Sequence, residues 1–288
     1  MTEPRVSVVC LCYNHSRYVA EAIRSVLYQT YPHVELIVTD DASTDDSVTA
    51  IENALAGHKH VQFIRHERNL GYTRSFNEAW RRSSGEFVID LAADDVLMPD
   101  RIARGVAALA QAGPQFGIQF SDGEYIGAEG ESLGLHSIRF PHHRVPQGDV
   151  YEQVIRQYFI LSPSVMVRQS VLRDLGGYDE SLAYEDFDLW VRASRQFKFV
   201  YVPLPLVKKR ILTSSMSARQ FAFRSRQQAS TYRVVEKILA LNRSRNEQQA
   251  LAHRVRYEIR TCLRLGLWTL AFRYWQLLRK SKRIQYPV

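Results

Sequence analysis

Three cysteines in 288 residues, Cys10, Cys12 and Cys262, are too few for a disulfide framework and fit a reducing compartment. Long apolar runs are also missing. No segment reaches the roughly eighteen apolar residues that a membrane-spanning helix needs. Met1 to Arg5 run straight into Val6-Ser7-Val8-Val9 without a signal-peptide pattern, so the chain reads as cytoplasmic. Its glycines do not form G-x-G-x-x-G after the first apolar run, which argues against a dinucleotide-binding Rossmann site. Neither a Walker A sequence nor zinc-ligand spacing occurs, and there is no internal repeat. With 45% hydrophobic and 24% charged residues, the composition excludes a disordered chain.

Acidic residues are scarce at one end only. Residues 219–288 hold 16 Lys/Arg against Glu236, Glu247 and Glu258, a net charge of +13, although the whole chain carries only +8. The first 218 residues are therefore net −5. Such asymmetry describes an acidic folded part followed by a basic, partner-facing segment.

Along the first part, apolar runs alternate with helical patterns. Val6–Cys12, Val34–Val38, Val61–Ile64 and Glu86–Ile89 read as strands, and Val19–Leu27, Ser47–Ala56 and Tyr72–Arg82 as helices. This spacing implies βαβ units and a mainly parallel sheet. Ligands of such sheets bind beyond the carboxyl ends of the strands. Tyr13-Asn14, Asp40-Asp41 and Asp94-Asp95 all lie at those ends. From Phe116 to Gln157, recurrent Gly and Pro suggest hairpins and loops over the sheet's active edge, with a His142-His143 pair among them.

Each acidic cluster admits two readings. Asp94-Asp95 suits a divalent cation shared with phosphate oxygens, because Mg²⁺ and Mn²⁺ prefer few carboxylates and complete their shell from substrate. The same residues suit an N-cap. Asp40-Asp41 is either a nucleobase or ribose acceptor or an Asx turn, and Asp45 or Asp46 caps the next helix. Glu185-Asp186 is either a base for a sugar hydroxyl or the capped start of Asp186-Phe187-Asp188-Leu189-Trp190.

Taken together and in this order, these segments resemble the family-2 nucleotide-sugar glycosyltransferases of the GT-A fold. Val6–Asn14, Ala22–Tyr31, Glu35–Asp45, Asn69-Leu70-Gly71, Asn77, Gly85–Val88 and Glu185–Arg192 carry the likeness, over roughly residues 4–217. The resemblance implies an α/β, Rossmann-like, mainly parallel mixed sheet flanked by helices at 1–217, with a basic amphipathic helical extension at 218–288. It implies an inverting hexosyl- or deoxyhexosyltransferase using a UDP- or dTDP-sugar, and an acceptor on a surface polysaccharide or lipid-linked glycan.

Carried over by residue, the nucleotide-sugar site comprises Leu11, Tyr13, Asn14, Asp40, Asp41, Asn69, Gly71, Arg74, Asp94 and Arg210. Asp95, with Asp94, would hold Mn²⁺ or Mg²⁺; Asp186 would be the general base; Glu185 and Trp190 would meet the acceptor. Two positions depart from the family pattern, and both thin the ligand set. Ala92 replaces an Asp frequent in Leu-Asp-x-Asp-Asp, and Leu212 replaces a frequent His. A degenerate glycan-binding protein and a nucleotidyltransferase are the competing readings, the latter opposed by the missing Gly-rich loop.

The tail from Arg254 to Arg283 alternates apolar residues with Arg at helical spacing. Leu251, Val255, Ile259, Leu263, Leu267, Leu270, Tyr274 and Leu277 form its stripe. Such a helix suits an anionic membrane surface, or else packs its stripe on protein with its Arg face solvated. Nucleic acid is not expected, since no recognised binding module is present.

Overall fold

The computed structural model describes residues 3–140, 144–212 and 226–284. Two compact units emerge: an α/β unit of Met1–Gly148, Ile160–Tyr178 and Phe197–Ile211, and a helical unit of Asp149–Phe159, Asp179–Gln196 and Leu212–Val288. The expected boundary at 217/218 lies outside the described residues.

The α/β unit opens with β1 (Val6–Cys12), α1 (Val19–Leu27), β2 (Val34–Asp40), α2 (Ser47–Ala54), β3 (Gln62–Arg65), α3 (Tyr72–Arg81) and β4 (Phe87–Ala92). It continues with β5 (Val96–Leu97), α4 (Arg101–Ala112), β6 (Phe116–Ile126) and β7 (Ser132–Leu135). In the helical unit, α5 covers Tyr151–Arg156; β8 (Met166–Arg168) and α6 (Gln169–Leu175) return to the α/β unit. The sheet runs β3-β2-β1-β4-β8-β6-β9-β5, with β9 at Lys198–Arg210 and β7 beside β6.

β1 is the centre, parallel to both β2 and β4, and all seven of its residues are buried. A strand covered on both faces reads as an unbroken apolar run, which explains why the sequence does not alternate there. α1 buries Val19, Ala22, Ile23 and Val26, an i, i+3, i+4, i+7 stripe, against that sheet. Because strand order reverses on either side of β1, the crevice beyond its carboxyl end is where such a sheet accepts a ligand.

The expectation for residues 116–157 is met in part: β6 and β7 form a hairpin, but Phe116–Ile126 is an eleven-residue strand of the main sheet, parallel to β9 and antiparallel to β8. Its glycines serve close packing. A Cβ on Gly117 would lie 2.7 Å from Val171, and one on Gly123 would lie 2.4 Å from Leu161.

The helical unit holds α5, α7 (Glu185–Ser194), α8 (Arg226–Leu241), α9 (Arg245–Arg264) and α10 (Trp268–Ser281). Ser244 caps α9 by accepting from Glu247 N, 3.2 Å. Gly266, at φ +70°, closes the helix while Leu267 N donates back to Cys262 O, 2.8 Å, and the chain turns directly into α10. Lys237 of α8 donates to both Asp179 and Asp188, at 2.6 and 2.7 Å. Burial pushes Asp179 up, but hydrogen bonds from Lys237 and Ser181 outweigh it and bring it down to about 2.

Candidate active site

The loops after β1 and β2 are latched together by short polar side chains. Asn14 sits in the left-handed region at φ 57°, which Asn tolerates better than other residues with a Cβ. Its Oδ1 accepts Thr44 N at 2.7 Å, and its own N–H donates to Ser43 Oγ at 2.9 Å. Asp45 accepts both Ser16 N and Ser47 N at 3.0 Å, binding one loop to the start of α2. Tyr13, 46% exposed, projects its ring to solvent beside this latch, whereas Leu11 is buried in β1.

The two acids ending β2 do different work. Asp40 is fully buried; its Oδ1 accepts Ser43 N at 2.9 Å, closing the turn, and its Oδ2 has no partner. Asp40 therefore serves as a turn acid, bonding the amide three residues on. Asp41 reaches across to the loop before α3. Its Oδ1 accepts Leu70 N (2.8 Å) and faces His66 Nδ1 (2.9 Å), while its Oδ2 accepts Gly71 N (2.9 Å). Asn69 donates to the Asp41 carbonyl at 3.1 Å. Gly71, at φ +86°, gives the chain the bend that aims both amides at one carboxylate. Arg74 stands exposed in the first turn of α3.

Asp94 and Asp95 follow β4, nearly buried. Asp95 Oδ1 accepts Arg210 N at 2.8 Å, and burial, then the neighbouring Asp94, push this carboxyl up to about 8. Arg210, 5% exposed, spends its guanidinium on protein. Nε donates to Asp94 O (3.1 Å), Nη1 to Gly127 O and Ala128 O (3.0 and 3.2 Å), and Nη2 to Glu21 (2.7 Å). Tyr18 lies beneath it, 4.5 Å from ring centre to Cζ. Arg210, expected in the nucleotide-sugar site, braces the acidic pair in the structure.

His15, which the sequence reading did not single out, stands beside the acidic pair. Its Nδ1 is buried without a hydrogen-bond partner and lies 3.9 Å from Asp94 Oδ1. The available signal was its place, next to Asn14 in the turn after β1. Among the described residues, no group of three or more His, Cys, Asp or Glu is arranged to hold a metal ion. The donor set fits a hard divalent cation in its smaller form: two adjacent carboxylates with the remaining positions left for phosphate and water.

Asp90, on β4, is another residue the motifs did not single out. It accepts from Tyr72 and Tyr178 hydroxyls at 2.8 and 2.9 Å, tying α3 to the strand.

In the helical unit, Glu185 and Asp186 open α7, and Phe187 N donates to Asp186 Oδ1 at 2.6 Å. Both are partly exposed. Trp190, expected at an acceptor, is instead 4% exposed and packs its ring 5.8 Å from that of Tyr158, in the core of this unit. Arg254 is corrected likewise: it is buried, donates to Glu258 at 2.7 Å and lies 4.5 Å over Phe187, so it presents no charge to a partner. His142 and His143 lie outside the described residues.

Comparison with known proteins supplies the family. Residues 7–172 match the model of "Glycosyl transferase family 2". An uncharacterized glycosyltransferase of Methanocaldococcus jannaschii is 29% identical over 215 residues, covering 73% of this chain and 72% of the relative. One from Haemophilus influenzae is 28% identical over 224 residues, covering 72% and 66%. Among solved structures, S. aureus TarS 1-349 in complex with UDP-GlcNAc aligns with TM-score 0.69 at 18% identity, over 87% of this chain and 71% of that one. The mannosyltransferase PcManGT of Pyrobaculum calidifontis, in complex with GDP-Man and Mn²⁺, aligns with TM-score 0.66 at 17% identity, over 98% and 85%. At those identities the likeness is one of fold. The matched segment spans every strand-end carboxylate from β1 to β4 and more than half of the chain, which belongs to glycosyl transferase family 2 and folds as a GT-A glycosyltransferase.

Proposed function

We propose that the protein is an inverting glycosyltransferase moving a hexosyl or deoxyhexosyl group from a UDP- or dTDP-sugar. The acceptor is a hydroxyl of a surface polysaccharide or lipid-linked glycan, at the cytoplasmic face of the plasma membrane. One observation carries the donor half: Asp41 is held by two backbone amides and His66, which use three of the roughly four acceptor sites of a carboxylate. The remaining site on Oδ2 suits the imide N–H of uracil or thymine. Tyr13, Asn14, Asn69 and Gly71 shape the surrounding loops, Leu11 and Asp40 support them from the sheet, and Arg74 adds a cation at the rim. Complexes of similarly folded proteins with UDP-GlcNAc and GDP-Man support a nucleotide-sugar donor.

Asp95 and Asp94 are the residues that would hold Mn²⁺ or Mg²⁺, which when bound supplies positive charge to the leaving diphosphate. Arg210 positions this pair by fixing the Asp94 carbonyl and the Asp95 carboxylate. His15 offers a ring N–H to the donor phosphates beside Asp94, where Leu212 cannot. Asp186 takes the proton of the acceptor hydroxyl. As it does so, the oxygen bonds to the anomeric carbon from the face opposite the nucleoside diphosphate, and the bond to that diphosphate breaks with inversion. Glu185 contacts the acceptor.

Titration calorimetry of UDP, dTDP and GDP, each with and without Mn²⁺, tests this reading. One nucleotide should bind in a metal-dependent way, weaken about 10- to 100-fold in Asp41→Ala as a charge-assisted hydrogen bond is lost, and lose its metal dependence in Asp95→Ala. A folded protein that binds none of the three overturns it.

A further inference from the structure

Helix α10 has two opposed faces. Ala271, Tyr274, Leu277 and Ser281 are its buried residues. At about 100° per residue, Trp268, Phe272, Trp275 and Arg279 fall within an arc of roughly 60° on the other side, and Lys282 and Arg283 follow directly after the helix end. All six are exposed, Trp268 by 69%, Phe272 by 54% and Trp275 by 43%. The apolar stripe legible in the sequence is therefore used up inside the unit at Tyr274 and Leu277, and this aromatic face is additional to it. No acid occurs between Trp268 and Ile284, against five Lys/Arg.

We infer that this outward face of α10 is a docking surface for an anionic lipid bilayer, its three aromatic rings seated at headgroup level and its cations over acidic lipid. It rests on the placement at the membrane proposed above and not on the nucleotide assignment. Three large exposed aromatics on one helix face are costly in water and favourable at a membrane interface. Cations on the same arc and just past it add attraction to an anionic leaflet. The alternatives fit less well. A second copy meeting this face would bury Arg279, Lys282 and Arg283 with no acid between Trp268 and Ile284 to pair them, and unpaired buried charge disfavours the pair. Nucleobases would need open ring faces. Phe272 and Trp275 stack on each other at 5.5 Å, and Arg279 covers Trp275 at 4.8 Å.

The test is flotation of the full chain with vesicles of phosphatidylcholine alone or with about a third phosphatidylglycerol. Binding is expected to the anionic vesicles only, falling as salt rises. Each Lys or Arg near such a surface contributes about fivefold, so R279Q/K282Q/R283Q should lose on the order of a hundredfold in affinity. W268S/F272S/W275S should lose at least about tenfold by removing the inserted apolar area. Both variants alter exposed positions and should keep wild-type circular dichroism and nucleotide affinity. A failed nucleotide assay with normal flotation would thus strike the transferase reading alone. Absence of flotation at low salt, or flotation that neither variant changes, overturns the inference. An RNA oligonucleotide that displaces vesicles would reassign the face to nucleic acid. A dimer in sedimentation velocity that the aromatic variant dissolves would reassign it to a second copy.

Discussion

Arg210→Met separates a brace from a ligand. Methionine keeps an apolar stem of similar length but supplies no donor. One buried carbonyl, Asp94 O, then loses its partner, at about 1–3 kcal/mol, while Gly127 O keeps Gly130 N at 3.1 Å. The lost stacking on Tyr18 adds about 0.5–1 kcal/mol. Ala128 O and the half-exposed Glu21 can be rehydrated and add little. The α/β unit should lose about 2–4 kcal/mol, a substantial share of the roughly 5–15 kcal/mol that holds a domain together. Hydrogen exchange of peptides covering β6 and β9, followed across a urea series, reads this directly. Arg210→Lys should recover only a minor part, because one ammonium cannot reach carbonyls on both sides of the strand end. A loss under about 1 kcal/mol, or full recovery with Lys, would refute the bracing role and return Arg210 to the diphosphate.

Asp186→Asn should leave nucleotide affinity within about twofold while lowering transfer on the order of a hundredfold or more, measured by release of nucleoside diphosphate. Transfer near the wild-type rate would remove Asp186 as the base. In the helical unit, Asp179 is brought down to about 2 by its bonds to Lys237 and Ser181, so its contribution is present above the ordinary carboxylate value near 4. It is lost as pH falls through about 2. Lys237→Met should therefore lower the melting temperature at pH 6 by more than it does at pH 2, in paired thermal scans. An equal difference at both would show that the ion pair does not set the shift.

The strands and helices as far as β4 were legible because burial on both faces gives unbroken apolar runs and α1 repeats its stripe every turn. Asp41 and the Asp94-Asp95 pair were legible as positions at strand ends. Their partners were not. The amides of Leu70 and Gly71 come from a loop about thirty residues on, and Arg210 binds Asp94 O across 116 positions. Pattern reading treats Gly117 and Gly123 as loop signals, yet both mark places where a side chain would strike Val171 or Leu161. In the tail, every Arg was read as facing outward, to solvent or to an anionic surface. The i, i+4 spacing of Arg254 and Glu258 was the available hint of an inward ion pair. Trp190 shared a segment with the acidic pair of α7, but helical geometry turned it inward.

The hydrogen bond from Arg210 N to Asp95 spans 115 residues of chain. On a ribosome extending at about 5–20 residues per second, the acidic pair is made several seconds before the strand that fixes it. Every carboxylate at the β2 and β4 ends can be in place while β9 is still unmade. A nascent chain therefore carries these charges without the brace that fixes them, until the strand ending at Arg210 has docked.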